Sequence, residues 1–415
     1  MTTIPPDGDA PGRVAVINYR SVLDYPAMFP ECADRLYVFS HHDLAHTEGL
    51  AHYEYVPQCE SIPYAELAIR RMAHELTFTH VVTDNEYDLE RAAHIREDLG
   101  LPGQSRASAL AFRDKAVMKE TAGRAVRVPG FARLTAFGDL TSFIEKFAYP
   151  VVVKPVKQGG SRDISVLRDE DDLLAFSRRP WREDLMAEEF VEGPMYHVDA
   201  VISEGYRFVA SSRYLRSCLG VFTGHNNGSV QLRPESAFAR RLEEYLDRVL
   251  AAFDTPGTSA YHLEVFHTPD DELVLCEIAS RVGGDRIPQL TELTYGVDLH
   301  ATTLRAACGL PVPQPPRDTP GEVHGSVSVL PQGRPVRAPG RPPFPWVRHY
   351  EVNTRLAPDA VTLHSAHHLC FAVVCGDGPE QVEARLLETE RWLMARLSEA
   401  DDANDTENAE STRGN

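Results

Sequence analysis

Two β-rich runs, YHLEVF and LVLCEI, flank a short polar segment between Tyr261 and Ile278, and no other stretch constrains the fold as closely. A Thr-Pro-Asp-Asp-Glu segment between β-branched and apolar residues predicts an antiparallel hairpin. If Thr268 and Leu273 close a turn of four residues, Glu264 stands directly opposite Glu277. Like charges opposed on a sheet repel, so such a pair requires a cation or one protonated carboxyl. Magnesium answers that need, since it takes one or two carboxylates and completes its shell with phosphate oxygens and water. Arg281 shares the strand parity of Glu277 and is expected on the same face, where a guanidinium can hold a phosphoryl or carboxylate group. Two solvent-facing glutamates on an edge hairpin are the bland alternative, and the hairpin alone leaves both readings open.

Other segments add to the case. VVVKPVKQGGSRDISVL reads as a buried strand ending at Lys154, followed by a loop whose Gly159, Gly160 and Ser161 let backbone N–H groups approach phosphate oxygens. The loop does not match the P-loop pattern. In AEEFVEG the carboxylates of Glu188, Glu189 and Glu192 surround Phe190 and Val191, a composition suited to an adenine slot; His197 and Asp199 follow on a strand.

The chain around these motifs is mixed α/β. Strands are expected over Val14 to Tyr19, Arg35 to Ser40 and Thr79 to Asp84, separated by helix-length segments, which predicts a small parallel layer. No GxGxxG follows the first strand, so a dinucleotide fingerprint is absent. A hairpin is expected from His197 to Ala210 with its turn at Glu204-Gly205. The apolar residues of Glu235 to Asp254 fall at helical spacing and read as core. After the proline-rich connector Leu310 to Gly321, the runs GSVSVL, VTLHSA and CFAVVC predict strands closed by a helix from Pro379 to Leu397. The expected division is a disordered start (1–12), an N-terminal α/β domain (13–110), a central domain (111–310, with a lid over about 114–185 and a second part over about 186–310), a small C-terminal α/β module (311–399) and a disordered tail (400–415).

A net charge of −19 across 415 residues, without a block of Lys and Arg, argues against nucleic acid as the main partner. The seven cysteines form no CxxC pair, and no run is long enough to span a bilayer. A reducing cytoplasmic setting, no membrane partner and, by default for a soluble enzyme, a symmetric homodimer are the expectations.

The order of these motifs over Asp114 to Gly309 resembles the ATP-grasp superfamily. The resemblance implies the ATP-grasp fold with a Rossmann-like N-terminal domain, and ATP with magnesium, or manganese as a substitute. It implies Lys115, from the DKAVMK helix, and Lys154 at the nucleotide phosphates, with Gly160 and Ser161 in the covering loop. Glu188, Glu189 and Val191 would surround adenine, Asp199 would hold ribose, and Glu264 and Glu277 would be the metal ligands. Asp163 stands where a Gly often follows, and Ala279 where many members carry a metal-binding Asn.

Within the superfamily, THVVTDNEYDLERAAHIREDLGLPG and CEIASRVGGDRIPQL resemble the bacterial L-amino-acid ligases. That finer resemblance implies a carboxylate-amine ligase working through an acyl phosphate on small-molecule carboxylate and amine substrates. His225, in FTGHNNGS, would belong to the substrate pocket, with Arg281 and Gly284 near the acyl phosphate and Glu86 toward the substrate amine. The alternatives are a biotin-carboxylase-like or purine-pathway enzyme and a non-catalytic ATP-binding regulator.

Overall fold

The computed structural model describes residues 12–18, 22–57, 62–182, 184–216, 225–315, 321–330, 339–353 and 368–397, and backbone alone over 398–411. Among the described residues, three sheets carry the chain. The first contains β1 (Arg13–Asn18), β2 (Leu36–Ser40), β3 (His52–Tyr55) and β4 (Phe78–Val82), all parallel in the order β3-β2-β1-β4. Val14 and Val16 pack on one face of β1, and Ala15 and Ile17 on the other. Burial on both faces is what a near-continuous apolar run such as VAVIN encodes. β3, sequence HYEY, lies at the edge and lacks such a run, so hydrophobic patterning passes over it.

The second sheet contains β5 (Phe131–Leu134), β6 (Val151–Pro155), β7 (Ser165–Leu167) and β8 (Leu185–Glu189), antiparallel in the order β5-β8-β6-β7. Lys154 therefore leaves β6 opposite Met186 of β8 and next to the Glu188 position.

The third sheet is antiparallel, with eight strands in the order β13-β12-β9-β10-β11-β14-β16-β15. Its members are β9 (Met195–Ser203), β10 (Tyr206–Tyr214), β11 (Asn227–Gln231), β12 (Ser259–His267), β13 (Leu273–Ala279), β14 (Val323–Val329), β15 (Val347–Val352) and β16 (Cys370–Gly376). β9 and β10 form the expected hairpin, with Gly205 in the left-handed region at φ 70°. The helix Ala237–Leu250 lays Leu242, Tyr245, Leu246 and Val249 on this sheet against Val198, Leu263 and Leu275. The C-terminal strands extend this sheet through β11–β14 pairing and cover what would otherwise be an open edge.

The closing helix spans Pro379–Ser411, past Ala400 where the sequence suggests a disordered tail. Ala400 to Ser411 contain no Gly or Pro to end it, and the start of the chain and VTLHSA lie outside the described residues. Among the described residues, no helix is long and apolar enough to cross a membrane.

Candidate active site

Glu264 and Glu277 are directly opposed across β12 and β13, as the hairpin reading expects, but by a different route. Near the turn His267 pairs with Leu273, and Thr268 N–H donates to the Glu272 carbonyl at 2.9 Å, so the turn is one residue tighter. Val265 then pairs with Leu275, which leaves Cys276 as an extra residue, a β-bulge that returns Glu277 to Glu264. The bulge has its own partner: Lys119 Nζ donates to the carbonyls of Cys276 at 2.8 Å and Leu275 at 3.4 Å.

The facing carboxylates are balanced by cations. Lys115 Nζ lies 3.0 Å from Glu277 Oε2 and donates to the Gln158 carbonyl at 2.7 Å. Glu264 accepts from the Tyr214 hydroxyl at 2.8 Å and lies 3.6 Å from His262 Nε2. Burial pushes the Glu264 carboxyl up, but His262 and the Tyr214 hydroxyl outweigh it and hold it well below its ordinary value. Both carboxylates thus face the cavity as hard oxygen donors.

A second charged knot lies between β6, β8 and the helix Lys115–Ala122. Glu188 pairs with Lys154 at 2.8 Å and Lys119 at 3.3 Å. Lys119 went unassigned in the sequence, yet the signal was present: Lys115 and Lys119 are four residues apart and share one helix face. Burial and the neighbouring Lys154 push the Lys119 ammonium down, while Glu188 holds Lys154 above its ordinary range against burial. Two lysines on one carboxylate leave a net positive charge beside the cavity.

The Gly159 loop folds over this region with Gly160 at φ 66°, Ser161 at φ 58° and Asp163 at φ 59°. Gly160 and Ser161 line the cavity, so the backbone of this turn borders it. Asp163 is itself left-handed, a conformation that Asp tolerates better than most side chains. Its carboxylate pairs with Arg182 at 2.7 Å.

A cavity of about 420 Å³ connects these groups. Lys115, Lys154, Gly160, Ser161, Glu188, Glu189, Val191, Glu264, Glu277, Arg281 and Gly284 all line it, so most of the residues singled out in the sequence converge on one space.

Three do not fit their expected roles. Asp199 is buried away from the cavity, with its two oxygens taken by His197 Nδ1 at 2.6 Å and His262 Nδ1 at 2.8 Å. A carboxylate so placed braces His262 rather than reaching a ribose, whereas Glu192 is exposed on the cavity wall. Although His197, Asp199 and His262 bring metal-ligating atoms within 4.8 Å of one another, their short mutual hydrogen bonds already account for that closeness. Burial pushes His262 down, but the Asp199 charge prevails and raises it to about 9.

Glu86 is 4% exposed and held by Arg113 at 2.9 Å and Arg281 at 3.0 Å. It therefore positions Arg281 and leaves no oxygen directed to a substrate amine. His225 is exposed and does not line the cavity; its neighbours over 217–224 lie outside the described residues. From the same segment Asn227, Gly228 and Ser229 do line it, which the lone histidine obscured.

No family model matches the chain. Among characterised proteins it is 24% identical over 265 residues to an L-arginine-specific L-amino acid ligase of Bacillus subtilis, covering 61% of this chain and 62% of that one. It is also 26% identical over 209 residues to the 2-oxoglutarate carboxylase small subunit of Hydrogenobacter thermophilus, covering 47% of this chain and 43% of that one. Among solved structures, an L-amino acid ligase from Bacillus licheniformis superposes with a TM-score of 0.72 at 19% identity, over 92% of this chain and 98% of that one. The ADP complex of an N5-carboxyaminoimidazole ribonucleotide synthetase superposes with a TM-score of 0.68 at 14% identity, over 93% and 99%. Similar to ligases and synthetases of this kind along nearly its whole length, the chain has the ATP-grasp fold.

Proposed function

We propose that this protein is an ATP-dependent carboxylate-amine ligase of the amino-acid ligase type, acting through an acyl phosphate. The observation that carries the reading is the convergence of the Glu264–Glu277 pair, Lys154 and Arg281 on one cavity beneath a left-handed glycine loop.

The residues fit the groups the fold implies. Two opposed carboxylates with cations beside them suit magnesium, which would draw charge from the phosphate oxygens when bound. Lys115 and Lys154, the latter sharing Glu188 with the buried Lys119, suit the phosphates, and the backbone around Glu189 to Val191 suits the adenine edge, with Glu192 in place of Asp199 at the ribose.

A substrate carboxylate oxygen attacks the γ-phosphorus, the bond to the β–γ bridging oxygen breaks, and ADP leaves. Lys154 spreads the charge on the transferring group, and Arg281, held in place by Glu86, orients the carboxylate. A neutral amine then attacks the acyl carbon, Arg281 and the Gly284 N–H stabilise the oxyanion, and the C–O bond breaks as phosphate departs with the proton lost from the amine. The loop over Gly159 to Ser161 excludes water that would hydrolyse the acyl phosphate.

The test is phosphate and ADP release from magnesium-ATP with pooled and paired amino acids, followed by mass spectrometry. Amide formed in step with phosphate supports the reading. Release that depends on bicarbonate or on a ribosyl amine, with none from amino acids, replaces it with the carboxylating or purine-type reading that the likeness to the N5-carboxyaminoimidazole ribonucleotide synthetase keeps in view.

A further inference from the structure

The glycine loop joins β6 to β7, and β7 is a strand of 3 residues at the edge of its sheet. So short an edge strand does little to fix the chain that enters it, and ordering the loop depends on contacts from elsewhere. Lys115 and Arg182 hold Gln158 and Asp163. Further contacts come from one short segment that follows β4, Glu86 to Glu90.

Lys157 Nζ lies 2.8 Å from Glu90 Oε1 and 2.9 Å from Oε2, so one ammonium spans both oxygens. The Arg162 guanidinium lies 5.5 Å from the centre of the Tyr87 ring, within cation–π range, and its Nε donates to the Gly159 carbonyl at 3.3 Å. Gly159 itself rests on Glu86, since a Cβ at this position would come within 2.8 Å of Glu86 Oε2. That oxygen also accepts from Arg281 at 3.0 Å. The segment that seats the loop is therefore the segment that holds the arginine proposed to orient the carboxylate.

Neither Glu90 nor Lys157 lines the cavity, and both side chains are partly exposed, at 29% and 42%. Glu90 stands in the first turn of the helix Leu89–Leu99, where the helix dipole favours a carboxylate with or without Lys157. An exposed pair of this kind shifts an equilibrium by a few-fold and not by orders of magnitude. That size suits a loop that has to seat and release in each cycle. We propose that Glu90 is a positioning residue acting through Lys157: it keeps the glycine loop seated, and so keeps water from the acyl phosphate until the amine attacks. This inference rests on the ligase reading. With the pair broken, water adds to the acyl carbon, the C–O bond to phosphate breaks, and the protons of water pass to the departing acid, phosphate and solvent. ATP is then consumed without an amide.

The experiment is a charge swap, in which Lys157→Glu, Glu90→Lys and the double variant carrying both are compared with wild type. Phosphate released per amide formed is measured with magnesium-ATP and an equimolar mixture of amino acids, a ratio that partial loss of folded protein does not move. Tryptic cleavage after Arg162 is followed without nucleotide. Each single variant is expected to raise both readouts at least about threefold, and the double variant to return both to within about twofold of wild type. A lysine in the first turn opposes the helix dipole equally in the single and double variants, so recovery in the double reports the pair and not the helix. Single variants of an amide-forming protein that leave either readout unchanged, or a double variant no better than its parents, overturn this inference alone. No amide from the wild type, with cleavage rising in the single variants and falling back in the double, overturns the ligase reading and leaves Glu90 as the residue that holds the loop.

Discussion

Lys115 Nζ sits 3.0 Å from Glu277 Oε2, on the carboxylate that faces Glu264 across the hairpin. Without a metal, a lysine ammonium thus offsets one of two opposed negative charges. In the proposed catalytic state the same ammonium must turn to a phosphate while magnesium takes its place, so Lys115 has two competing partners. Lys115→Met is therefore expected to move two measurements in opposite directions. The KM for ATP rises at least about tenfold, through loss of a charged phosphate contact worth about 1.5–3 kcal/mol. Affinity for manganese alone, followed by electron paramagnetic resonance, increases because Glu277 no longer has a competing cation. A parallel loss of both affinities would contradict the exchange.

Glu188 carries two buried lysines, and removing its charge leaves both without compensation. Glu188→Gln is expected to lower stability by about 3–5 kcal/mol, the range for breaking a buried ion pair. Urea unfolding followed by circular dichroism measures it, and added ADP with magnesium should recover part of the loss by supplying phosphate charge to Lys154.

Gly283 lies where a Cβ would come within 2.4 Å of Asp199 Oδ1 and 3.1 Å of His262 Nδ1. The chain following Arg281 packs directly on the pair that braces Glu264. Gly283→Ala is expected to cost about 1–3 kcal/mol of stability from overpacking. Because the strain falls between Arg281 and Glu264, kcat should drop more than the KM for ATP rises. Thermal melting and steady-state phosphate release distinguish that outcome from a purely structural one.

Asp84, just after β4, pairs with His300 of the helix Leu299–Ala307 and so ties the parallel sheet to that helix. Burial pushes the imidazole down, but the Asp84 charge prevails and raises it above 6.5. A histidine whose folded value is raised contributes stability that is complete below its unfolded value and is lost as pH rises through the folded one. The stability difference between wild type and His300→Gln is therefore expected to be largest at pH values below about 6.5 and to shrink as pH rises above that value. Urea midpoints at a series of pH values check the sign; a difference that grows with pH would refute it.

The patterns that carried most information in the sequence were those with a single physical reading. VAVIN and VVVKP are apolar runs too short for helices, and both are strands. The opposed glutamates were legible too, yet only because two local features cancelled. The turn is tighter by one residue, and Cys276 bulges out to restore the pairing. Nothing in LVLCEI marks a bulge, since no glycine or proline interrupts it; the bulge is held by Lys119, which is distant in sequence. Asp199 fails for a related reason. The resemblance implies a ribose contact for it, while only the folded sheet shows that His262 and His197 hold both of its oxygens. β15 escaped notice because VRHYEV mixes charged and apolar residues in the manner of an exposed segment, and it pairs at the edge of its sheet.

The central claim is that the Glu264–Glu277 pair holds the magnesium through which ATP drives amide formation. Its most direct test is simultaneous quantification of phosphate and amide from magnesium-ATP and amino acids, in wild type and in Glu277→Gln. The account predicts one phosphate per amide in the wild type, and loss of both by at least about a hundredfold in a folded Glu277→Gln. Amide formation at the wild-type rate in that folded variant would contradict it.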